Sequence, residues 1–430
     1  MRSLRSSVMV VVAVVVIACG GPPAPTGSLS ITIAGLPAGV AAAVSVTGPG
    51  GFAKTVTTSD VLEGLTIGRY TISASAVDDG HAIVPRVFDA QVSAPVLDVV
   101  ADATEVTTVD HAWRPPSGRG WMSTFGGDGK VLYGFDRSDL EASGTPQPAV
   151  SITFEPQVWD GIAFDADGNA WVARWSNAPS IVRFAAVDLE SSGAPVPDVV
   201  IHSSDPAVLG GPLGLAFDAE GALCVSGYHS TTIVKYAPAQ LAASGSPAPR
   251  VVLSSSGTSL ATPCGLAFDS AGALWVANLA GSTVVKYAPA QLAASGAPVP
   301  EVSISSTAGY LTAAYALAFD AQDNLWVSPL SSDSIVRFDA DQLVASGAPT
   351  PSARVTDFGI PKGLAFDHAG DLWVNRLSGA VSTLVRIADP GSLTMASSAD
   401  FATIVEHDFS VSGGFITFFP PPPGLPIHTP

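Results

Sequence analysis

The 430-residue sequence predicts an all-β protein, and three observations carry that expectation. A run close to Gly-Leu-Ala-Phe-Asp recurs at Gly161, Gly214, Gly265, Ala316 and Gly363. Charged residues are only 13% of the chain, about half the share in a typical soluble domain. Gly, Pro, Ser and Thr fill the gap, which suits short strands and tight turns. Ahead of the repeats, Tyr70, Ile72, Ala74 and Ala76 alternate with Thr71, Ser73 and Ser75, the period of a half-buried strand.

The copy beginning at Gly265 shows how each element arises. Leu266-Ala267-Phe268 is a first strand, with the small Ala267 leaving room for a close neighbour. Asp269-Ser270-Ala271-Gly272 is a hairpin turn, in which the carboxylate caps the backbone and the glycine takes the left-handed position. The same turn recurs at Asp165, Asp218 and Asp367; at Asp320 the expected glycine is Asp323, which tolerates that conformation less well. Leu274-Trp275-Val276 is the second strand, matched by Trp171, Trp326 and Trp373, which read as core. Val284–Tyr287 is the third, matched at Ile181, Ile233 and Ile335. Pro289 and Gly296 frame one or two helical turns. Glu301–Ile304 is the fourth strand, whose neighbouring prolines suit an outermost strand with a free edge.

Four strands per copy and almost no helix describe a β-propeller. A partial copy precedes the five: Gly120–Met122, Val131–Phe135 and Ala149–Phe154 match its later strands, and no Gly-Leu-Ala-Phe-Asp opens it. Gly413–Phe419 can supply the missing strand, so six blades are expected, closed by the C-terminal strand. The run "GLAFDxxGxLWV…IVKY" resembles NHL-type repeats and gluconolactonase-like propellers over about Arg119 to Phe419. That resemblance implies the architecture, and for the gluconolactonase-like enzymes a divalent metal at the channel mouth held by Glu, Asn and Asp, with an Asp activating water. The strand that would carry the Glu, Gly414–Phe419, has none; Asn278 or Asn375 could match the Asn.

Ser28 to Thr108 reads as a compact β-sandwich, and Gly64–Ile72 resembles a run of carboxypeptidase-regulatory-like and immunoglobulin-like domains. Such domains act as spacers or adhesion modules. Arg2 and Arg5 precede an apolar run, Val8–Ala18, too short for the roughly 20 residues a membrane span needs. A basic start with a short apolar core is a secretory signal. Val16-Ile17-Ala18-Cys19 resembles the lipobox of bacterial lipoproteins, whose cysteine is acylated and becomes the new N-terminus. The expected organisation is a signal peptide over 1–18, an acylated Cys19 with a tether to 27, the sandwich over 28–108, the propeller over 112–420 and a Pro-rich tail over 421–430. The protein would then sit in the bacterial envelope, in the outer membrane if the cell has one.

A formal charge of -18 disfavours nucleic acid as a partner. No cysteine lies in a CxxC. Cys224 takes the place of Trp275 in its copy and reads as a small buried hydrophobe, with a Cys224–Cys264 disulfide as the alternative in an oxidising compartment.

First strands begin, and second strands end, at one end of the propeller axis, and loops there are where a site is expected. The candidate rim residues are Asp160, Arg174, Tyr228, His229, Cys264, Asn278, Tyr310, Tyr315, Lys362, Asn375 and Arg376. Asp160 is the one clear carboxylate, too few for a hard cation. The expected function is therefore a non-enzymatic binding or scaffolding module without a cofactor, with an unidentified protein or saccharide ligand. The alternative is a metal-dependent propeller hydrolase. A saccharide surface would use Trp159, Trp175, Tyr310 and Tyr315.

Overall fold

The structure is a computed structural model that describes residues 24–36, 39–78, 87–114, 119–125, 131–140, 144, 147–154, 159–174, 179–203, 205, 207–378, 381–395, 402–407 and 412–419. The signal segment, Cys19, His81, Trp175, the side chains of Trp159 and Asp160, and the Pro-rich tail lie outside it. The described residues contain strands and short 3-10 turns and no α-helix. They fall into two compact units, the first ending at Arg114 and the second starting at Arg119.

The first unit has two sheets. One orders Asp60–Thr66, Thr26–Ala34, Thr104–Arg114, Val87–Val92 and Val77–Asp78; the other orders Phe52–Val56, Ala43–Gly48, Gly68–Ser75 and Val96–Val99. Leu29, Ile31 and Val109 of the first sheet share one apolar cluster with Val44, Val46, Tyr70 and Ile72 of the second. The boundary expected at 108–112 falls inside the strand Thr104–Arg114. That strand continues because Val109 to Arg114 pair with Val87–Val92 and Thr104 to Asp110 pair in parallel with Thr26–Ala34.

The second unit has six four-stranded antiparallel sheets among its described residues. The first sheet joins Arg119–Phe125, Val131–Phe135 and Val150–Thr153 to Ser412–Phe419. The second opens with Trp159–Phe164, the third with Pro212–Phe217, the fourth with Pro263–Phe268, the fifth with Ala314–Phe319 and the sixth with Ile360–Phe366. These opening strands, together with Ser412–Phe419, line one cavity of about 120 Å³. Sheets set side by side around a shared cavity have β-propeller character.

Glycine opens most copies because neighbouring first strands nearly touch. A Cβ on Gly161 would lie 1.8 Å from the Leu213 carbonyl oxygen, and one on Gly214 would lie 2.1 Å from that of Cys264. The ladder slips at this point, between Pro212 and Leu215 or Pro263 and Leu266, and the bulged amide needs another acceptor. Ser226 Oγ accepts from Gly214 N–H at 2.7 Å and donates to the Cys264 carbonyl of the next sheet at 2.6 Å. Ser328 does the same for Ala316 and Lys362. Asn375 Nδ2 donates to the Gly414 carbonyl at 2.9 Å, and so ties the sixth sheet to the C-terminal strand.

At the other end, the turn aspartate is a hub. Asp269 Oδ1 accepts the amides of Ala271 and Ala273, and its Oδ2 accepts Trp275 Nε1–H at 2.9 Å. Asp165, Asp320 and Asp367 hold Trp171, Trp326 and Trp373 in the same way. Each indole packs against a phenylalanine of the following sheet. Trp121 meets Phe164, Trp171 meets Phe217, Trp275 meets Phe319, Trp326 meets Phe366 and Trp373 meets Phe418. In the third sheet Cys224 replaces tryptophan, and Asp218 pairs instead with Lys235 at 2.6 Å. Asp323 does adopt the left-handed conformation, at φ 58°. Its carboxylate accepts from Ser270 N–H and Oγ–H of the adjacent turn, which offsets the strain a glycine would avoid.

The outer strands have no free edge in the copies where their neighbours are described. Ser303 N–H donates to Ser346 Oγ, and Ile304 bridges to Gly347 of the next copy. Ser192, Ser244 and Ser295 seal the preceding copies alike. The prolines therefore precede a covered strand and not, as the sequence led us to expect, an open one.

His368 follows the turn aspartate of the sixth sheet. Burial, helped by the Arg137 guanidinium and opposed by the Asp367 carboxylate, pulls its imidazole down to about 4. In the unfolded chain it titrates at about 6.5. Above about 6.5 both states are neutral; from there down to the folded value only the unfolded chain takes the proton, so stability falls as the pH falls. His368→Phe is expected to remove about 1 kcal/mol of the loss between neutral pH and the low end of that window, after solvent screening of a half-buried ring. Urea midpoints of both proteins across that window check this; equal pH slopes would refute it.

Candidate functional site

Among the described residues, apolar side chains fill much of the candidate rim. Leu213, Cys264 and Tyr315, from three successive sheets, are buried in one apolar cluster, with Phe415 of the C-terminal strand packed against it. Tyr315 and Phe415 stack with ring centroids 5.3 Å apart. Tyr228, Leu279 and Leu330, each just past a second strand, pack on the same cluster. Below this plug the cavity is walled by Ile162, Leu215, Leu266, Leu317 and Leu364, with Thr417 as its polar side chain. None of the described residues lining it carries a titratable side chain.

Both rim amides turn into the protein. Asn278 is fully buried; its Oδ1 accepts Ala261 N–H at 3.1 Å, and its Nδ2 donates to the Ser259 carbonyl at 3.0 Å and to Thr283 Oγ1 at 3.2 Å. Asn375 is equally buried, donating to Gly414 and accepting from Ser382 Oγ at 3.0 Å. Burial lowers the Arg174 guanidinium from its usual range, and Arg376 Nη1 donates to the Asp357 carbonyl at 2.9 Å.

The remaining candidates divide. Tyr228 and His229 meet edge to face at 4.9 Å, their amides held by the carbonyls of Gly211 and Gly210. His229 is exposed and Tyr228 half-buried. Tyr310 packs elsewhere, in the cluster between the fourth and fifth sheets, with the Arg354 guanidinium 5.8 Å above its ring. The backbone of Asp160 lies in the strand Trp159–Phe164, and Lys362 in Ile360–Phe366. Cys224 and Cys264 are buried free thiols, so the disulfide is absent. They sit at opposite ends of neighbouring sheets, Cys224 against Ala216 near the turn and Cys264 at the bulge. Burial pushes the Cys224 thiol up to about 12.

Sequence reasoning missed the bridging hydroxyls. The copies carry Ser123, Ala173, Ser226, Ala277, Ser328 and Asn375 at one aligned position, and that polar recurrence was the available signal.

No protein-family model and no curated protein matches the chain. Solved structures that resemble it include a protein of unknown function from Bacteroides caccae, at 12% identity over 70% of this chain and 99% of that one, with a TM-score of 0.49. The nidogen–laminin complex is similar at 14% identity over 70% and 98%, with a TM-score of 0.49. Virginiamycin B lyase from Staphylococcus aureus, in a catalytically inactive form with quinupristin, is similar at 13% identity over 55% and 68%, with a TM-score of 0.39.

Proposed function

We propose that the chain is an exported lipoprotein acylated at Cys19, in which the six sheets close into a six-bladed NHL-like propeller that binds or scaffolds a protein partner. The first unit is a β-sandwich spacer that holds the propeller off the envelope membrane. One observation carries the non-enzymatic reading. Asn278 and Asn375, the amides that a gluconolactonase-type metal would require, are buried and engaged by backbone groups and neighbouring hydroxyls. Tyr310 and Tyr315 are poor saccharide platforms, because stacking needs an open aromatic face. Tyr315 is covered by Phe415, and Tyr310 by Arg354. The exposed His229 beside Tyr228 marks the loop surface to mutate first in partner-binding assays.

Three measurements test this. Metal analysis of the purified protein with a lactone and ester panel is expected to give neither stoichiometric metal nor turnover. Asn278→Ala is expected to lower stability by about 1–3 kcal/mol, the effect of orphaning buried backbone partners. Stoichiometric calcium or zinc with turnover abolished by Asn278→Ala would establish the hydrolase instead. Cys19→Ser is expected to abolish incorporation of labelled palmitate and release the protein from the membrane fraction, since acyl chains contribute about 0.8 kcal/mol per buried CH₂. Unchanged labelling would exclude the anchor.

A further inference from the structure

The repeat is its own control: positions set by the fold recur, and departures from them are informative. After the turn aspartate the copies carry Ala166, Ala219, Ser270 and Ala321, and then His368. At the opening of the 3-10 turn they carry Ala186, Pro238, Pro289 and Ala340, but Arg137 in the first sheet. At the fifth turn position they carry Asn169, Ala222, Ala273 and Asn324, and then Asp371.

These departures converge at the seam between the sixth and first sheets. Arg137 and His368 line one cavity of about 300 Å³, the lower end of the range for small-molecule sites. Asp371 accepts from Arg386 Nε at 2.7 Å, and Arg386 lines the same cavity. Space exists here for a topological reason. Every other sheet of the second unit joins its first two strands by a turn, but the first sheet takes them from opposite ends of that unit. Between the fourth and fifth sheets, by contrast, adjacent turns meet through Ser270 and Asp323.

The cavity has an apolar side, made by Leu140, Trp373 and Phe418, and a charged one. Asp367, also in its wall, has both carboxylate oxygens engaged, by Trp373 Nε1 and by the amides of Ala369 and Asp371. Arg137 enters no ion pair among the described residues, so its charge faces a space already walled for a ligand.

We propose that this seam cavity binds a small carboxylate, its anionic end on Arg137 beside His368 and its apolar body against Leu140, Trp373 and Phe418. A carboxylate suits it better than a phosphate, because the Asp367 carboxylate in the same wall opposes a second negative charge.

The test uses the full chain at neutral pH, with benzoate and acetate as probes, phosphate as comparator, and sodium chloride at matched ionic strength. Calorimetric titration is expected to show saturable benzoate binding, at least tenfold weaker in Arg137→Gln and at least tenfold weaker for phosphate. Thermal unfolding without ligand shows whether Arg137→Gln is folded. His368→Phe, which replaces the imidazole by an apolar ring of similar size in the cavity wall, is the second variant and is expected to weaken binding. No saturable binding of either carboxylate, equal affinity in Arg137→Gln, or phosphate binding as tight as benzoate would each overturn the proposal.

Discussion

Trp275→Ala is expected to lower the unfolding free energy by about 3–5 kcal/mol, the range for deleting a buried indole. Trp275 is 1% exposed, and three further contacts end on it. Its Nε1–H donates to Asp269, its ring lies 5.9 Å from that of Phe319 across the seam, and Lys286 sits 5.6 Å over its face. Truncation would open a cavity between two sheets and leave the buried Asp269 with only its turn amides and Lys286, 3.3 Å away. Trp275→Phe keeps most of the apolar contact and loses the donor, so about 1.5–3 kcal/mol is expected, as for a hydrogen bond to a charged group. The third sheet provides a natural comparison, since it holds Cys224 at this position and satisfies Asp218 with Lys235. Cys224→Ala is therefore expected to cost only about 1 kcal/mol. Urea titration of the three variants measures the ranking. A Trp275→Ala protein as stable as Cys224→Ala would show that the indole ladder does not hold the sheets together.

Gly161→Ala is expected to destabilise by about 3 kcal/mol or more, at the upper limit of overpacking effects. The new methyl would sit 1.8 Å from the Leu213 carbonyl oxygen, so two first strands would have to part. Gly363→Ala is expected to be milder, because the nearest atom there is the Ile416 nitrogen at 2.6 Å. The fifth sheet already accepts Ala316 at the aligned position, fully buried and with its amide on Ser328. Ala316→Gly should thus cost only the usual backbone entropy, about 0.5–1 kcal/mol. Thermal midpoints give the order directly. If Gly161→Ala and Ala316→Gly moved the midpoint equally, close approach of the first strands would not be what the glycine serves.

Much of the second unit was legible because its local chemistry repeats. Asp269 to Gly272 announced a hairpin, Trp275 its core strand, and Pro289 to Gly296 a short helical turn, and each is where the pattern placed it. The two rim amides turn inward for a physical reason. A strand's alternation tells which residues share a face, but the slip between Pro263 and Leu266 changes which way the chain end turns. Asn278 and Asn375 therefore point at backbone groups and not at solvent. Tyr310 and Tyr315 are close in sequence, yet they belong to different clusters, because Leu311 to Ala314 carries the chain from a loop into a strand. The first unit hid its parallel pair, Thr26–Ala34 with Thr104–Arg114, because the two partners lie at opposite ends of the unit's sequence.

The serine and glycine that close each outer edge have a consequence for how such a chain could grow or shrink. Ser346 and Gly347 protect strand Val302–Ile304, which belongs to the copy before their own. The segment a duplication would copy is therefore out of step with the body that is physically shielded. Excising one such copy would bring the successor's serine and glycine against the predecessor, and inserting one demands that the newcomer fit both the predecessor's rim and the successor's bulge. Gain or loss of a whole copy can thus keep the interlock where the flanking copies carry this serine and glycine, and variation inside a copy, as at Arg137 and His368, leaves it untouched.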